Sequence, residues 1–396
     1  MTKEIEKRFR VTLICARGFE ERHKGDMVVA NAFAHALSKF TNLSIICLSS
    51  IEGEYFLNIN DNNVKVFNIK VPQLLEIIVD LIKSLFSSRP LQYALFSNKR
   101  IKKKVIKHLT ELGSDATISI TSRAWAMHLG GVGKYNYVHL VDALSINFDL
   151  FANIQKRYFK RMFYKIEARR LKKDEENIDS DASCVWQVAI RDNENDKPER
   201  IIIPIVYSFT NNMPPKEKNP KNEIVFLGTL SYWPNIEAIH WFVDNVFPFI
   251  RESLPNITFK IAGKGKNKLH PRINLIPGVE VFGPVTNSIE FLSQGKVIVV
   301  PVHKGTGMQN KILEAGWLGK EIVCTKFSAE PFNEDCKKML RIADNPQEFA
   351  DQVIKAINNP RPIKNMEEWA EKVKGSYSVE ILQNKLKEIL SADLFY

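Results

Sequence analysis

The segment Pro301–Glu314 holds the residues best suited to chemistry on a bound ligand. A buried apolar strand, Val297–Val300, is expected before it, and a helix, Met308–Leu318, is expected to begin within it. Between the two, Gly305 and Gly307 let a ligand approach the backbone closely. The unpaired N–H groups and the dipole of the helix start then favour an anion, such as a diphosphate.

Two polar side chains of that helix share one face, because Asn310 and Glu314 are four residues apart. A carboxylate in this place suits the two hydroxyl groups of a ribose. A plain glycine turn followed by a Lys311–Glu314 pair on the surface explains the same residues. The loop by itself leaves both interpretations open.

The first half of the chain alternates short apolar runs with helical stretches. A helix is expected at Met27–Leu37, where Val29, Phe33 and Leu37 recur at helical spacing. Strands separated by such helices pair in parallel and form a doubly wound sheet. The expected strands are Val11–Ala16, Leu43–Leu48, Val64–Ile69, Ala116–Ile120 and Tyr137–Val141.

A proline-rich stretch without periodicity, residues 207–222, is expected to be a linker. A second strand and helix series follows, so the chain is expected to form domains at 1–206 and 223–376, with a final segment at 377–396. Ligand sites lie at the carboxyl ends of strands in such sheets, and two facing units form a cleft. The elements expected are strands Ile224–Leu227, Ile257–Ala262, Val279–Phe282, Val297–Val300 and Glu321–Cys324, and helices His240–Ile250 and Met308–Leu318.

Several motifs resemble those of the GT-B glycosyltransferases of the large family 4 group, also called glycosyl transferases group 1. The segment Val299–Ala315 resembles the V-P-[LV]-x(3)-G-x(2)-[NK]-K-x-L-E-A signature of one branch, with one additional residue before Gly307. Tyr377 and Ser378 precede a final helix, as in that fold. The other blocks that agree in order and spacing are Lys24–Asp26, His139–Ser145, Phe226–Asn235, Ile261–Gly265 and Val281–Val285.

The resemblance implies an α/β protein of the GT-B fold. Two Rossmann-like, doubly wound domains would face each other across a cleft, and a C-terminal helix would cross back to the first domain. It also implies transfer of a sugar from a nucleoside-diphosphate sugar, of the UDP or GDP type, to a hydroxyl acceptor. A glycan or lipid-linked intermediate of surface polysaccharide assembly is the acceptor class that the branch suggests. No cofactor and no metal ion are expected, because helix N-termini and basic side chains stabilise the leaving diphosphate.

The resemblance further implies which residues bind the donor. The backbone of Val281 and Phe282 would face the base, and Glu314 would face the ribose. The loops around the diphosphate would contribute Lys24, Gly25, Gly228, Gly263, Lys264, Gly305, Thr306, Gly307, Met308, Gln309, Asn310 and Lys311.

Two departures from the family pattern stand out. Many relatives carry an acid eight positions before the helix glutamate, where this chain has Thr306, so the stereochemical course stays open. The basic pair that often follows the first strand of the second domain is absent, since the loop reads Thr229–Ser231. Positive charge for the diphosphate is then expected from Arg17, Lys24, Lys264 and Lys311.

An inverting enzyme needs a general base to deprotonate its acceptor. Asp142 is the candidate, because it directly follows the expected strand Tyr137–Val141 on the ligand side of the sheet. A role as the cap of the next segment explains Asp142 nearly as well. On the same strand, His139 is expected to be a core histidine.

The net charge of +11 is concentrated in two windows. Lys99–Lys107 has six basic residues and no acid, while Lys156–Lys173 has nine basic residues and only Glu167. Such windows attract phosphate-rich partners, or they are simply solvated helix faces. Nucleic-acid binding is the weaker alternative, since no RNP, helix-turn-helix or zinc pattern accompanies them.

The densely apolar stretch Leu74–Phe86 is too short to span a bilayer. With the basic window that follows, it suits contact with an anionic membrane surface, although a core helix explains it equally well. A cytoplasmic protein is expected, because Met1–Arg10 shows no signal pattern and the five cysteines form no motif. A sugar-nucleotide epimerase of similar fold and a catalytically inactive relative remain as alternatives.

Overall fold

The computed structural model describes residues 9–19, 25–130, 132–192, 200–207 and 222–394. These residues form two compact units. The first unit runs to Val206 and resumes at Val379, and the second runs from Tyr207 to Ser378. The prolines of the expected linker lie outside the described residues.

The first unit is built on an eight-stranded sheet of order β3-β4-β2-β1-β5-β6-β7-β8. Every neighbouring pair is parallel except β3 and β4. The strands are β1 (Arg10–Cys15), β2 (Asn42–Ser49), β3 (Gly53–Ile59), β4 (Asn62–Lys70), β5 (Ala116–Ile120), β6 (Tyr135–Leu140), β7 (Cys184–Gln187) and β8 (Ile201–Ile202).

Strand β3 is a feature that the apolar patterns do not predict, because it is an edge strand whose residues are mostly exposed. It joins β4 through a two-residue turn. Asn60 and Asp61 both adopt positive φ there, 52° and 61°. A type I′ hairpin turn requires this conformation, and Asn and Asp tolerate it better than most residues.

Six helices precede the second unit in the described part of the chain, and helices pack on this sheet. Helix α3 buries Ile101, Val105 and Leu109, at helical spacing, against Ile14 and Ile46 of the sheet. A left-handed glycine, Gly113, ends this helix. The helices are α1 (Gly25–Ser38), α2 (Leu74–Leu85), α3 (Lys99–Leu112), α4 (Ser122–Trp125), α5 (Leu144–Ile154) and α6 (Tyr158–Asp181).

The second unit has a fully parallel six-stranded sheet of order β11-β10-β9-β12-β13-β14. Its strands are β9 (Glu223–Leu227), β10 (Thr258–Ala262), β11 (Val279–Val281), β12 (Val297–Val300), β13 (Glu321–Cys324) and β14 (Arg341–Ile342). Its helices are α7 (Trp233–Trp241), α8 (Phe247–Ser253), α9 (Ser288–Gln294), α10 (Asn310–Trp317), α11 (Lys326–Ala329), α12 (Glu334–Lys337), α13 (Pro346–Asn358) and α14 (Ile363–Tyr377).

The prediction of one helix at His240–Ile250 is wrong in length and in continuity. The structure has two α-helices joined by a π-helical turn, and together they extend from Trp233 to Ser253. Helix α7 already begins at Trp233, because Pro234 fits the first turn of a helix. A π-helical turn, Phe242–Val246, then joins α7 to α8. Pro248, in the first turn of α8, explains this widening, because proline lacks an N–H group and its ring clashes with the carbonyl four residues earlier.

The last helix, α15 (Val379–Leu394), belongs to the first unit. Ser378 is extended and separates α15 from α14. Within the first unit α15 packs on α1, and Tyr137 Oη donates a hydrogen bond of 2.6 Å to Asp393 Oδ2. No helix in the described ranges is long and apolar enough to cross a membrane.

Candidate functional site

The loop that follows β12 is the centre of the candidate site. Its first residues are fixed from below, since Ser328 Oγ donates to the carbonyls of Val300 and Val302, at 3.1 Å each. Gly305 and Gly307 then turn the backbone with φ of 136° and 69°, values that suit glycine. Glycine therefore suits both positions, and the close approach of a ligand to their backbone stays a prediction.

Between and after these glycines, Thr306 and Met308 are buried, with 6% and 7% of their surface exposed. Helix α10 begins at Asn310, and Gln309, its N-cap residue, makes no side-chain cap. The Oδ1 atom of Asn310 is buried and has no hydrogen-bond partner among the described residues. The helix start thus offers backbone N–H groups and a positive dipole end to an anionic ligand, while the unpartnered Oδ1 atom can accept a hydrogen bond from a donor group of a ligand.

Glu314 lies one helical turn beyond Asn310 and is 8% exposed. Its Oε1 atom accepts hydrogen bonds from Tyr207 Oη at 2.9 Å and from Ser288 Oγ at 3.1 Å. Burial raises the pKa of Glu314, while these two hydrogen bonds and the charge of Lys311 oppose the rise. A carboxylate accepts about four hydrogen bonds, so its second oxygen can still receive a pair of ribose hydroxyls.

The structure corrects the role expected of Lys311. This side chain is buried, with 7% exposed, and its ammonium lies 4.2 Å from the ring centroid of Phe226. Its Nζ atom is 3.2 Å from Asn235 Oδ1. Burial lowers its pKa to about 7. Lys311 therefore supports the loop after β9 from within, and it does not present a cation to a diphosphate.

Gly228 and Gly263 are interlocked at the ends of β9 and β10. Gly228 N donates to the carbonyl of Ala262 at 3.0 Å. Gly263 has φ of 152°, and a Cβ atom there would lie 1.8 Å from the carbonyl oxygen of Gly228. Only glycine fits this position. Lys264, the next residue, has an exposed side chain, so it is available to a ligand on this edge.

Two of the four backbone groups predicted to face a base are occupied. The N–H of Phe282 donates to the carbonyl of Ile261 at 2.8 Å, because strand pairing continues past β11. The carbonyl of Val281 accepts from Lys266 Nζ at 2.5 Å. The exposed feature is instead the ring of Phe282, 40% exposed and edge-on to Phe291. It offers a stacking face for a planar ligand.

In the first unit, the expected phosphate-facing loop is described only in part, since Lys24 lies outside the described residues. Gly25 is the first residue of α1, and a Cβ atom there would meet nothing within 4 Å. Arg17 follows β1, and its Nε donates to Asp26 Oδ2 at 2.9 Å. Arg17 is thus paired within its own unit.

Asp142 is exposed in the loop after β6. It is not the cap of the next helix, because Ala143 holds the N-cap position of α5. Arg123, after β5, lies in the same charged neighbourhood: burial and Arg17 lower its pKa, while Asp26 and Asp142 raise it. The sequence analysis did not predict Arg123 as a site residue, because it belongs to no recognisable motif.

Thr121, between β5 and α4, supplies a second signal at this edge. It has φ of 83°, a strained value for a β-branched residue. Such strain collects at functional sites. His139, by contrast, is a buried core histidine that bonds the carbonyl of Ile203 at 3.0 Å, and burial lowers its pKa to about 4.

Acidic, histidine and cysteine side chains do not gather into a metal site: no group of three or more is placed to hold an ion in the described part of the chain. The candidate site of the second unit is therefore made of a glycine loop, a helix start, a buried glutamate and an exposed aromatic ring.

Comparisons with known proteins find a family model that matches the second unit and a relative that matches about half of the chain. Residues 221–359 match the family model described as Glycosyl transferases group 1. A protein of Klebsiella pneumoniae, "Uncharacterized 44.6 kDa protein in cps region", is 25% identical over 231 residues. That match covers 55% of this chain and 58% of the relative, a little over half its length.

Solved structures match nearly the whole chain. The structure of HepE of Anabaena in complex with UDP and glucose matches with a TM-score of 0.61 at 13% identity. The match covers 97% of this chain and 99% of the HepE chain. Sucrose-phosphate synthase from Thermosynechococcus elongatus has a TM-score of 0.66 at 12% identity, covering 98% and 99%. An E. coli structure described as trehalose-6-phosphate bound with UDP-2-fluoro glucose has a TM-score of 0.61 at 12% identity, covering 96% and 98%.

These findings confirm the predicted resemblance. The chain has the GT-B fold, with two α/β bodies built on parallel sheets. Its second unit carries the sequence pattern of glycosyl transferases group 1, and the candidate site lies inside the matched residues.

Proposed function

We propose that this protein is a glycosyltransferase that moves a sugar from a nucleoside-diphosphate sugar to a hydroxyl acceptor. The observation that carries the proposal is the pairing of an uncapped helix start, at Gln309 and Asn310, with buried Glu314 one turn later. Both lie within the stretch that matches the glycosyl transferases group 1 model. The HepE and E. coli relatives were solved with UDP or a UDP sugar, which favours a UDP-type donor here.

In this proposal each part of the donor meets a different feature. The diphosphate lies at the N-terminus of α10, where Gly305 and Gly307 keep the backbone accessible. Glu314 accepts the ribose hydroxyls through its second oxygen. The base stacks on the exposed ring of Phe282. Exposed Lys264 supplies positive charge.

We further propose that transfer needs no metal ion. Backbone N–H groups at a helix start stabilise charge as it develops on the leaving diphosphate. Thr306, a neutral residue, stands where many relatives hold an acid, so this loop supplies no carboxylate to the sugar. The first unit instead offers exposed Asp142 as general base. Arg123, in the same charged neighbourhood, provides a cation for the acceptor.

The relative in the cps region of K. pneumoniae supports a proposal for the acceptor class. On this ground we propose a glycan or lipid-linked intermediate of surface polysaccharide assembly as acceptor. We also propose that the protein works in the cytoplasm, where nucleotide sugars are the donors.

Titration calorimetry and thermal shift with UDP, GDP and their sugars test the donor assignment. A UDP ligand is expected to raise the apparent melting temperature by mass action. Glu314→Gln should weaken binding by about 10-fold to 100-fold, because a hydrogen bond to a charged group contributes about 1.5–3 kcal/mol. Glu290→Gln, at an exposed glutamate on α9, is the matched control and should bind normally. If no nucleotide stabilises the wild-type protein, the donor assignment is wrong.

A separate test addresses the base. Asp142→Asn should abolish sugar transfer and leave UDP affinity unchanged. Asp149→Asn, on α5 and also exposed, is the control. Unimpaired transfer by Asp142→Asn would remove Asp142 from the mechanism without affecting the donor site.

A further inference from the structure

Helix α2 presents its apolar face to solvent. In a surface helix the apolar stripe normally faces the core. Here the buried positions are polar, Asp80 and Ser84. The exposed apolar residues, which range from 43% exposed at Ile78 to 87% at Phe86, are Leu74, Leu75, Ile78, Val79, Ile82, Leu85 and Phe86.

The first turns of α6 carry a second exposed apolar stripe. Tyr158 and Phe159 are 68% and 86% exposed, and Met162, Phe163 and Ile166 are 42–47% exposed. These positions recur at i, i+4 and i+8 and at neighbouring sites, so they share one face of the helix. The aromatic members make this stripe a strong candidate for an apolar contact.

Hydrogen bonds tie the end of the first stripe to the helix that carries the second. Arg170, one turn after Ile166, donates to the carbonyl of Leu85 at 3.3 Å and to that of Arg89 at 3.4 Å. Buried Glu167 accepts from the N–H of Leu91 at 2.9 Å. The end of α2 is therefore fixed against the middle of α6. We call the combined exposed stripes, residues 74–86 and 158–166, the apolar face.

Basic side chains border the apolar face. Between residues 156 and 166 the chain has five basic residues and no acid: Lys156, Arg157, Lys160, Arg161 and Lys165. None of these five forms an ion pair within the described part of the chain.

The basic residues of α3 are less available. Arg100 is paired with Glu76, Lys104 with Glu52, and Lys107 with Glu111. The window that the sequence places next to Leu74–Phe86 is therefore partly neutralised. The five cations next to the α6 stripe that form no ion pair among the described residues come from α6 and from the two residues before it.

We propose that the apolar face is a docking surface for an anionic lipid bilayer. Exposed leucine, isoleucine and phenylalanine side chains enter the interface between headgroups and acyl chains, while the α6 cations meet acidic headgroups. A nucleic acid would match the cations and leave the apolar side chains unused. The inference does not depend on the proposed donor chemistry, because none of these residues belongs to the second unit.

Vesicle flotation with the full-length protein tests the proposal. The wild-type protein is expected to float with vesicles of phosphatidylcholine and 30% phosphatidylglycerol at low salt. It should float at least 10-fold less with pure phosphatidylcholine, and also less in 0.5 M NaCl, because salt screens the lipid charge. Failure to float with the anionic vesicles at low salt would overturn the proposal, as would equal binding to both lipids.

Two double variants separate the apolar and charged contributions. F86S/F159S removes the two most exposed side chains of the face, and K160E/R161E reverses two bordering charges; each should reduce flotation at least 10-fold. Leu275→Ser is the matched control, because Leu275 is 81% exposed on the second unit. Unchanged melting temperatures show that the variants fold. Undiminished flotation of both variants would refute the assignment, and so would a wild-type dimer that F86S/F159S dissociates, since a second copy would then cover the face.

Discussion

Replacement of the buried Lys311 by methionine tests whether a lysine inside the second unit loses its charge near neutral pH. Burial lowers its pKa from 10.5 to about 7, and the nearby Glu314 only partly opposes this. Methionine is one atom shorter than lysine, is likewise unbranched, and can pack on the ring of Phe226, which Lys311 covers. The variant thus removes the titrating group while it retains most of the packing.

The magnitude follows from the pKa difference. Between about pH 7 and pH 10 the unfolded chain holds a proton on Lys311 that the folded protein has lost. The free energy of unfolding therefore rises with pH, by up to about 1.4 kcal/mol per pH unit. Integrated from pH 7 to pH 9, the contribution of Lys311 is about 2 kcal/mol. Below pH 7 both states carry the proton and the contribution is constant.

Urea denaturation followed by tryptophan fluorescence can measure this difference. Four of the six tryptophans lie in the second unit: Trp233, Trp241, Trp317 and Trp369. The unfolding free energy of wild type, minus that of Lys311→Met, should increase by about 2 kcal/mol from pH 7 to pH 9. Lys304→Met, at an exposed lysine, should keep the wild-type change with pH. Parallel curves for wild type and Lys311→Met would refute the reasoning, because Lys311 would then hold its proton throughout.

Three further outcomes can be measured with the same protein. Gly263→Ala should destabilise it by about 3 kcal/mol or more, since the new Cβ atom would overlap the carbonyl of Gly228. The control Gly25→Ala should change stability by less than about 1 kcal/mol. Equal urea midpoints for the two variants would contradict the close approach of Gly263 to Gly228. UDP affinity should fall as pH decreases through the raised pKa of Glu314, because protonation removes the charge that the ribose hydroxyls contact. Tyr207→Phe should move that fall to higher pH, since the Tyr207 hydroxyl lowers the pKa of Glu314, and calorimetry that finds the same midpoint in both proteins would show that the hydrogen bond is not formed.

The order of strands and helices could be predicted from the sequence because the spacing of apolar residues indicates each element. Buried parallel strands are continuous apolar runs, so β12 appears directly as Val297–Val300. The exposed edge strand β3 has no such run, and its alternation is weak. The start of α7 at Trp233 was not predicted, because proline usually indicates a loop. In the structure Pro234 lies in the first turn of the helix, where proline is tolerated.

The site could be predicted only where a residue's role depends on its immediate neighbours. Glycines and a helix start are local features, so the loop at Gly305 and Gly307 could be predicted from the sequence. The direction of a side chain depends on tertiary packing, and the sequence could not show that Lys311 points into the core. The partners of Glu314 are equally remote, because Tyr207 lies 107 residues away. Arg123 and Thr121 carry no motif and emerge only from charge proximity and backbone strain.

The positions of the four cations predicted to bind the diphosphate change how this group is expected to be bound. Lys311 is buried and Arg17 is paired with Asp26, while Lys24 lies outside the described residues. Of the four, exposed Lys264 is the one that the second unit offers to a ligand. The backbone N–H groups at the start of α10 must then provide much of the stabilisation. Such groups are already oriented before the donor arrives, so charge that develops on the diphosphate meets fixed dipoles rather than flexible side chains. Lys264→Ala is therefore expected to reduce UDP affinity less than Glu314→Gln does, and calorimetry that ranks the two variants in the opposite order would assign the diphosphate to the lysine instead.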